Sequence, residues 1–148
     1  MLDRKWIGHE SEPSVLPIER SRLQFFAKAT GEDNPIYTDR SAAQAAGYAD
    51  LPAPPTFLFA AELDSGTGNQ LLTDMGVSLA NILHGEQSFT YHRTACVGDT
   101  ITVHSRVDDI YDKKGGALEF IVKTSRAINQ RDELVAEMRS VIVCRNRS

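Results

Sequence analysis

Two short stretches of the chain concentrate the side chains able to move protons. The first, 31-GEDNPIY-37, sets the carboxylates of Glu32 and Asp33 beside an Asn-Pro turn, with the amide of Asn34 and the phenol of Tyr37 around them. The second, 83-LHGEQSFTYHR-93, places the imidazole of His84 two residues before the carboxylate of Glu86. A carboxylate held near an imidazole divides proton abstraction and proton delivery between the two groups, which is general acid–base catalysis. Residues two apart on a regular strand share a face, so His84 and Glu86 are expected to point the same way and to bind substrate or act as such a pair. The plainer expectation is a polar pair satisfied at a strand bend beside Gly85. The first stretch is less well equipped, because a phenol titrates near about pH 10 and is a poor base at neutral pH. Without chemistry, GEDNPIY reads as an Asx-type turn joining two helices.

The elements that must position these groups are legible in the surrounding pattern. Pro17 at a first helical position, Gly31 where a C-cap belongs, and apolar Ile18, Leu23, Phe26 and Ala29 between them predict a helix of about thirteen residues. Asp39 caps a second, short helix of small residues that closes at Gly47. Prolines at 52, 54 and 55 forbid regular structure until Thr56, an acceptable N-cap, releases the apolar run 57-FLFAAEL-63. A helix so apolar belongs in the interior, with Phe57, Phe59 and Leu63 in the core.

From about residue 79 the period changes to that of strands, near 82–93, 100–111, 117–129 and 133–145. Ile101, Val103, Ser105 and Val107 alternate with Thr102, His104, Arg106 and Asp108, the pattern of a half-buried antiparallel strand. The links 112-DKKGG-116 and 129-NQRD-132 suit hairpins, so the last three strands are expected to form a meander. Helices first and sheet second argue for an α+β domain whose sheet curls around one buried helix.

With 148 residues, 41% of them apolar, the chain is expected to form one domain, residues 1–148. A net charge of −4 with scattered cations argues against nucleic acid as a partner. No apolar run has the length of a signal peptide or a membrane span, which predicts a soluble, cytoplasmic protein. Cys96 and Cys144, with no CxxC and no nearby His cluster, read as small core residues, and no metal is implied.

The segment 26-FAKATGEDNPIYTDRSAAQAAGY-48 resembles the hydratase-2 motif of MaoC-like (R)-specific enoyl-CoA hydratases, whose loop reads G-D-x-N-P-[aliphatic]-H. A second block, 53-APPTF-57 followed by 83-LHGEQSFTYHR-93, is similar to the N-terminal, non-catalytic half of eukaryotic hydratase 2 and to bacterial MaoC-like N-terminal domains. The resemblance spans roughly residues 5–145. It implies a hot-dog fold, built as dimers or tandem pseudo-dimers, that acts on acyl thioesters of CoA or acyl-carrier protein without a further cofactor. It also implies that the central helix begins near Thr56, its Phe57, Phe59 and Leu63 read as core ahead of acyl-tunnel lining, although in a hot-dog fold one helix can serve both. Gly31, Asn34, Pro35 and Ile36 match the motif, Glu32 stands where the family has its Asp, and Tyr37 stands where it has its His. Glu32 keeps the charge at the cost of a methylene, and Asp33 is an adjacent carboxylate that a one-residue slip would present.

The resemblance thus implies a degenerate catalytic loop of Glu32, Asn34 and Tyr37, with Thr56, His84 and Glu86 toward the substrate. Lys113, Lys114, Arg93 and Arg126 are candidates for CoA phosphates, or scattered surface cations. Three functions remain open at this point. The first is the substrate-binding subunit of an (R)-specific enoyl-CoA hydratase or 3-hydroxyacyl-thioester dehydratase, served by a catalytic MaoC-like partner. The second is a homodimer that binds acyl thioesters without turnover. The third is a self-sufficient hydratase or thioesterase using Glu32 with His84 or Glu86.

Overall fold

The structure, a computed structural model, describes residues 1–146. A short strand β1 (Ser14–Pro17) precedes helices α1 (Arg20–Thr30), α2 (Arg40–Ala45), α3 (Ala60–Ser65) and α4 (Thr67–Asp74). Four long strands follow: β2 (Ile82–Tyr91), β3 (Thr100–Lys113), β4 (Leu118–Ile128) and β5 (Leu134–Arg145). They form one antiparallel five-stranded sheet in the order β1-β3-β4-β5-β2. The sheet curls round the helices in the hot-dog arrangement, and β3, β4 and β5 are the expected meander.

The alternation in β3 is realised: Ile101, Val103, Ser105 and Val107 are buried, while His104, Arg106 and Asp108 are exposed. Gly31 closes α1 with φ +70°, and the Glu32 N–H donates to the Ala27 carbonyl at 2.8 Å. The start of that helix differs from expectation. Pro17 ends β1 instead of opening α1, which begins three residues later behind Glu19, a residue that supplies no side-chain cap. Four residues ending in proline are too few to signal a strand, and an edge position is where a missing N–H costs no ladder bond.

The apolar run after Thr56 also differs. Thr56 has φ +74°, a left-handed conformation costly for a β-branched residue, and its side chain caps nothing. The chain first makes a 3-10 turn, Phe57–Phe59, then α3, which Gly66 (φ +75°) breaks from α4. Phe57, Leu58, Ala61 and Glu62 face inward, but Leu63 is 55% exposed. The interior therefore receives a carboxylate where the pattern promised only hydrocarbon.

Two apolar clusters make up the core. One joins β1, α1 and the turn before α3 to the sheet through Leu16, Leu23, Phe57, Ile101 and Val103. The other sets Leu71 and Leu72 of α4 against Val107, Ile121 and Ile142. Inward-facing polar side chains separate them. Glu62 of α3 and Lys123 of β4, 7% and 6% exposed, form an ion pair. Ser105 and Ser125, their hydroxyls 2.9 Å apart, both donate to the same carboxylate. Ser140, opposite Lys123 in register, bonds the Gln87 side chain of β2. At the other edge of the sheet, the Ser14 hydroxyl lies 2.9 Å from that of Ser65 and 2.8 Å from that of Thr67.

Cys144 is buried in the second cluster, where desolvation pushes its thiol up to about 11, and Cys96 is half-buried. Among the described residues, no helix is long and apolar enough to cross a membrane.

Candidate functional site

The loop after α1 folds on its own polar atoms. Asn34 Oδ1 accepts from the Ile36 N–H at 3.2 Å and so caps the turn Pro35–Tyr37, whose first residue needs no donor because it is proline. Glu32 Oε1 accepts from the Asn34 N–H at 3.0 Å. The carboxylate at the family's Asp position is thus engaged by its own loop.

Tyr37 projects from this turn into a cavity of about 350 Å³, where Tyr48, Pro54, Leu58, Tyr91 and Arg93 also lie. Desolvation, together with the Glu32 carboxylate and the phenols of Tyr48 and Tyr91, raises the Tyr37 phenol above its ordinary value of 10.0. At neutral pH it is a hydroxyl donor, not a base.

Thr56 stands at the boundary of a second space. Its N–H donates to the Tyr91 hydroxyl at 3.0 Å, on the side of the first cavity. Thr56 also lines an apolar groove of about 330 Å³, walled by Phe26 of α1, Phe59, Ala60 and Leu63 of the central helical segment, and Gln87 and Phe89 of β2. Phe57 is core, as expected, whereas Phe59 and Leu63 are groove wall. Three phenylalanines from separated elements make this a surface suited to hydrocarbon chains.

The expected pairing of His84 with Glu86 is not made. The register of β2 against β5 shifts between them: His84 pairs with Ile142 and Glu86 with the adjacent Val141, so the two side chains leave on opposite faces. The bulge depends on Gly85, since a Cβ there would lie 2.8 Å from Val143 Cγ2 and 3.2 Å from the Val141 carbonyl oxygen. His84 turns inward and meets the Phe59 ring edge to face, centroids 5.3 Å apart. Glu86 turns outward to Arg139, 2.9 Å away. Nor does Glu32 share a site with His84. Tyr91, in the Tyr37 cavity, and His84 stand seven residues apart on β2, about 23 Å of strand at roughly 3.3 Å per residue.

The candidate phosphate-binding cations do not converge. Arg93 lines the Tyr37 cavity and approaches Glu133 at 3.5 Å. Lys113 covers the Tyr111 and Phe120 rings, and Lys114 sits in the turn between β3 and β4. Arg126 lies on the outer face opposite His104. Sequence reasoning missed Tyr48, Tyr91, Gln87 and Phe89. The last three share the inward face of β2, a periodicity that becomes visible only when counting restarts after the Gly85 bulge.

Comparison with known proteins agrees with this geometry. The family profile described as FAS1-like, dehydratase domain region, matches residues 5–138. A UPF0336 protein of Streptomyces avermitilis is 40% identical over 118 residues, 77% of each chain. The HadBC (3R-hydroxyacyl-ACP dehydratase) complex from Mycobacterium tuberculosis contains a chain similar in structure with TM-score 0.78 at 23% identity, covering 93% of this chain and 96% of that one. The ChsH1–ChsH2 complex from the same organism gives TM-score 0.73 at 25% identity, covering 94% and 90%.

Proposed function

Because the chain belongs to the FAS1-like dehydratase-region family of MaoC-like hot-dog proteins, we propose that it is the acyl-thioester-binding subunit of an (R)-specific enoyl-CoA hydratase or 3-hydroxyacyl-thioester dehydratase. The observation that carries this reading is Tyr37. The position that needs an imidazole holds a phenol kept protonated by its surroundings, while the open apolar groove on the other side of Thr56 keeps its Phe26, Phe59 and Phe89 walls. Catalysis then falls to a MaoC-like partner with an intact Asp and His. Those two groups hold the water, deliver one proton to the α-carbon and accept another. The role of this chain is to bind and orient the acyl group, which raises the effective concentration of the reacting atoms. The reaction moves only water and protons, so the thioester of CoA or acyl-carrier protein is substrate and no cofactor is called for.

The sheet edges support a partner. β1 has four residues, follows Pro13, ends in Pro17 and is tied down through Ser14. β2 is a ten-residue edge without proline, and its Gln87 and Phe89 border the groove. A second hot-dog chain laid along β2 would pair that edge and cover the groove at once. The two similar Mycobacterium tuberculosis structures are, by their own descriptions, complexes of differently named subunits.

A trans-2-enoyl-CoA hydration assay tests the proposal, with the purified chain alone and mixed with a MaoC-like protein carrying G-D-x-N-P-[aliphatic]-H. The expected outcome is background turnover alone and a gain of at least about 10²-fold on mixing. Full activity of the chain alone would overturn it. Binding with no turnover in either sample would leave the non-catalytic homodimer as the reading.

A further inference from the structure

The inner face of a sheet that serves only to pack a core is apolar throughout. Here it is crossed, strand by strand, by Gln87 on β2, Ser140 on β5, Lys123 and Ser125 on β4, and Ser105 on β3, with Glu62 reaching down from α3. Stability alone is a weak reason for such a row, because a buried ion pair is often no more stable than well-packed hydrocarbon of the same volume. Its place in the molecule suggests what it does instead.

One end of the row is Gln87, which is also a wall of the apolar groove. A hydrocarbon chain entering between Phe59, Ala60 and Leu63 on one side and Phe89 on the other meets the Gln87 amide, already bonded to Ser140. Behind Ser140 stand Lys123 and Glu62. Beyond them lies the second apolar cluster, with Leu71, Leu72, Ile121 and Ile142 packed against one another. Methylenes pressed against the row gain no apolar contact and displace hydrogen bonds whose partners would be left buried and unpaired.

We infer that Gln87, Ser140 and the Glu62–Lys123 pair form the floor of the groove and set the acyl length at which affinity stops increasing. This inference rests on the acyl-binding role proposed above. Chain-length selection is thereby built from the polar interior of this subunit, independently of any catalytic group.

The test titrates the chain, in the oligomeric state in which it purifies, with butanoyl-, octanoyl-, dodecanoyl- and hexadecanoyl-CoA. In the wild type, affinity should rise by about fourfold for each methylene that becomes buried and then level off before the longest chain. Gln87→Leu should move the plateau to a longer chain, and Glu62→Leu with Lys123→Met should do the same. The paired replacement leaves Ser105 and Ser125 bonded to each other. Should it fail to fold, Gln87→Leu decides alone, since that residue is half-buried and its replacement keeps the ion pair intact. Wild-type affinity that climbs through hexadecanoyl-CoA, or a plateau that the folded variants leave in place, overturns the floor while leaving the acyl-binding role standing. Absence of binding to all four thioesters overturns both.

Discussion

The Tyr37 cavity and the Phe59 groove adjoin at Thr56 and are built on different principles. The cavity is bounded by phenols and prolines, and the loop beside it is held by backbone N–H groups donating to Asn34 and Glu32. None of those bonds uses the side chain at position 37. The groove is built mainly from apolar side chains of α1, the central helical segment and β2, with Gln87 its hydrogen-bonded wall. A catalytic group can therefore be lost from the loop without cost to its shape, whereas the groove cannot lose its ligand class without losing its walls. The two regions are separable in construction, so a change at position 37 leaves the groove walls in place.

The largest test of that separation restores the chemistry. Tyr37→His with Glu32→Asp should raise enoyl-CoA hydration by the chain alone by about 10²-fold or more over its background, followed as loss of enoyl thioester absorbance. Wild-type turnover that survives Glu32→Gln and Tyr37→Phe would place the catalytic groups outside the loop.

The groove is tested by subtraction. Phe59→Ala should weaken dodecanoyl-CoA binding about tenfold by calorimetric titration, as expected for losing part of a buried aromatic contact. Tyr48→Phe, in the cavity, should leave that affinity within about twofold. Equal losses from both variants would mean that the two spaces act as one site.

Thr56 gives a smaller effect of opposite sign. Thr56→Gly should stabilise the fold by up to about 1 kcal/mol, read as a higher thermal midpoint, because glycine adopts positive φ without penalty. A lower midpoint would show that the threonine side chain contributes contacts worth more than the backbone strain.

The last test is of pH and separates the two regions at opposite ends of the scale. Burial alone would raise the Glu62 carboxyl, but Lys123, Ser105 and Ser125 more than offset it and hold it below its ordinary 4.5. That stability is present above about pH 4.5 and is lost as pH falls through the depressed value. Tyr37 is raised, so its contribution is present below about pH 10 and is lost as pH rises through the raised value. Denaturant midpoints should therefore fall less on the acid side in Glu62→Leu with Lys123→Met, and less on the alkaline side in Tyr37→Phe.

What the sequence revealed follows from how locally each feature is encoded. The four long strands, α1 and α2 were legible because alternation, caps and glycines act within a few residues of one another. The loop motif was legible for the same reason. β1 was hidden because four residues ending in Pro17 carry no period, and α4 because Gly66 and Gly68 break the pattern just where a new helix begins. The face assignment of Glu86 failed at a bulge whose cause is the approach of Val143 on a strand nearly sixty residues away. The groove and its polar floor were beyond reach, since Phe26, Phe59 and Phe89 or Glu62 and Lys123 look like isolated residues until the chain brings them together.

The proline-flanked β1 has a consequence for aggregation. A strand-paired filament needs two open edges per molecule, one to receive a neighbour and one to pass the pairing on. Among the described residues the second edge of the sheet is β1, four residues long and ending in proline, so strand addition beyond a first event at β2 has only a poor edge to continue from. The same short strand that is hidden in the sequence thus disfavours open-ended strand pairing.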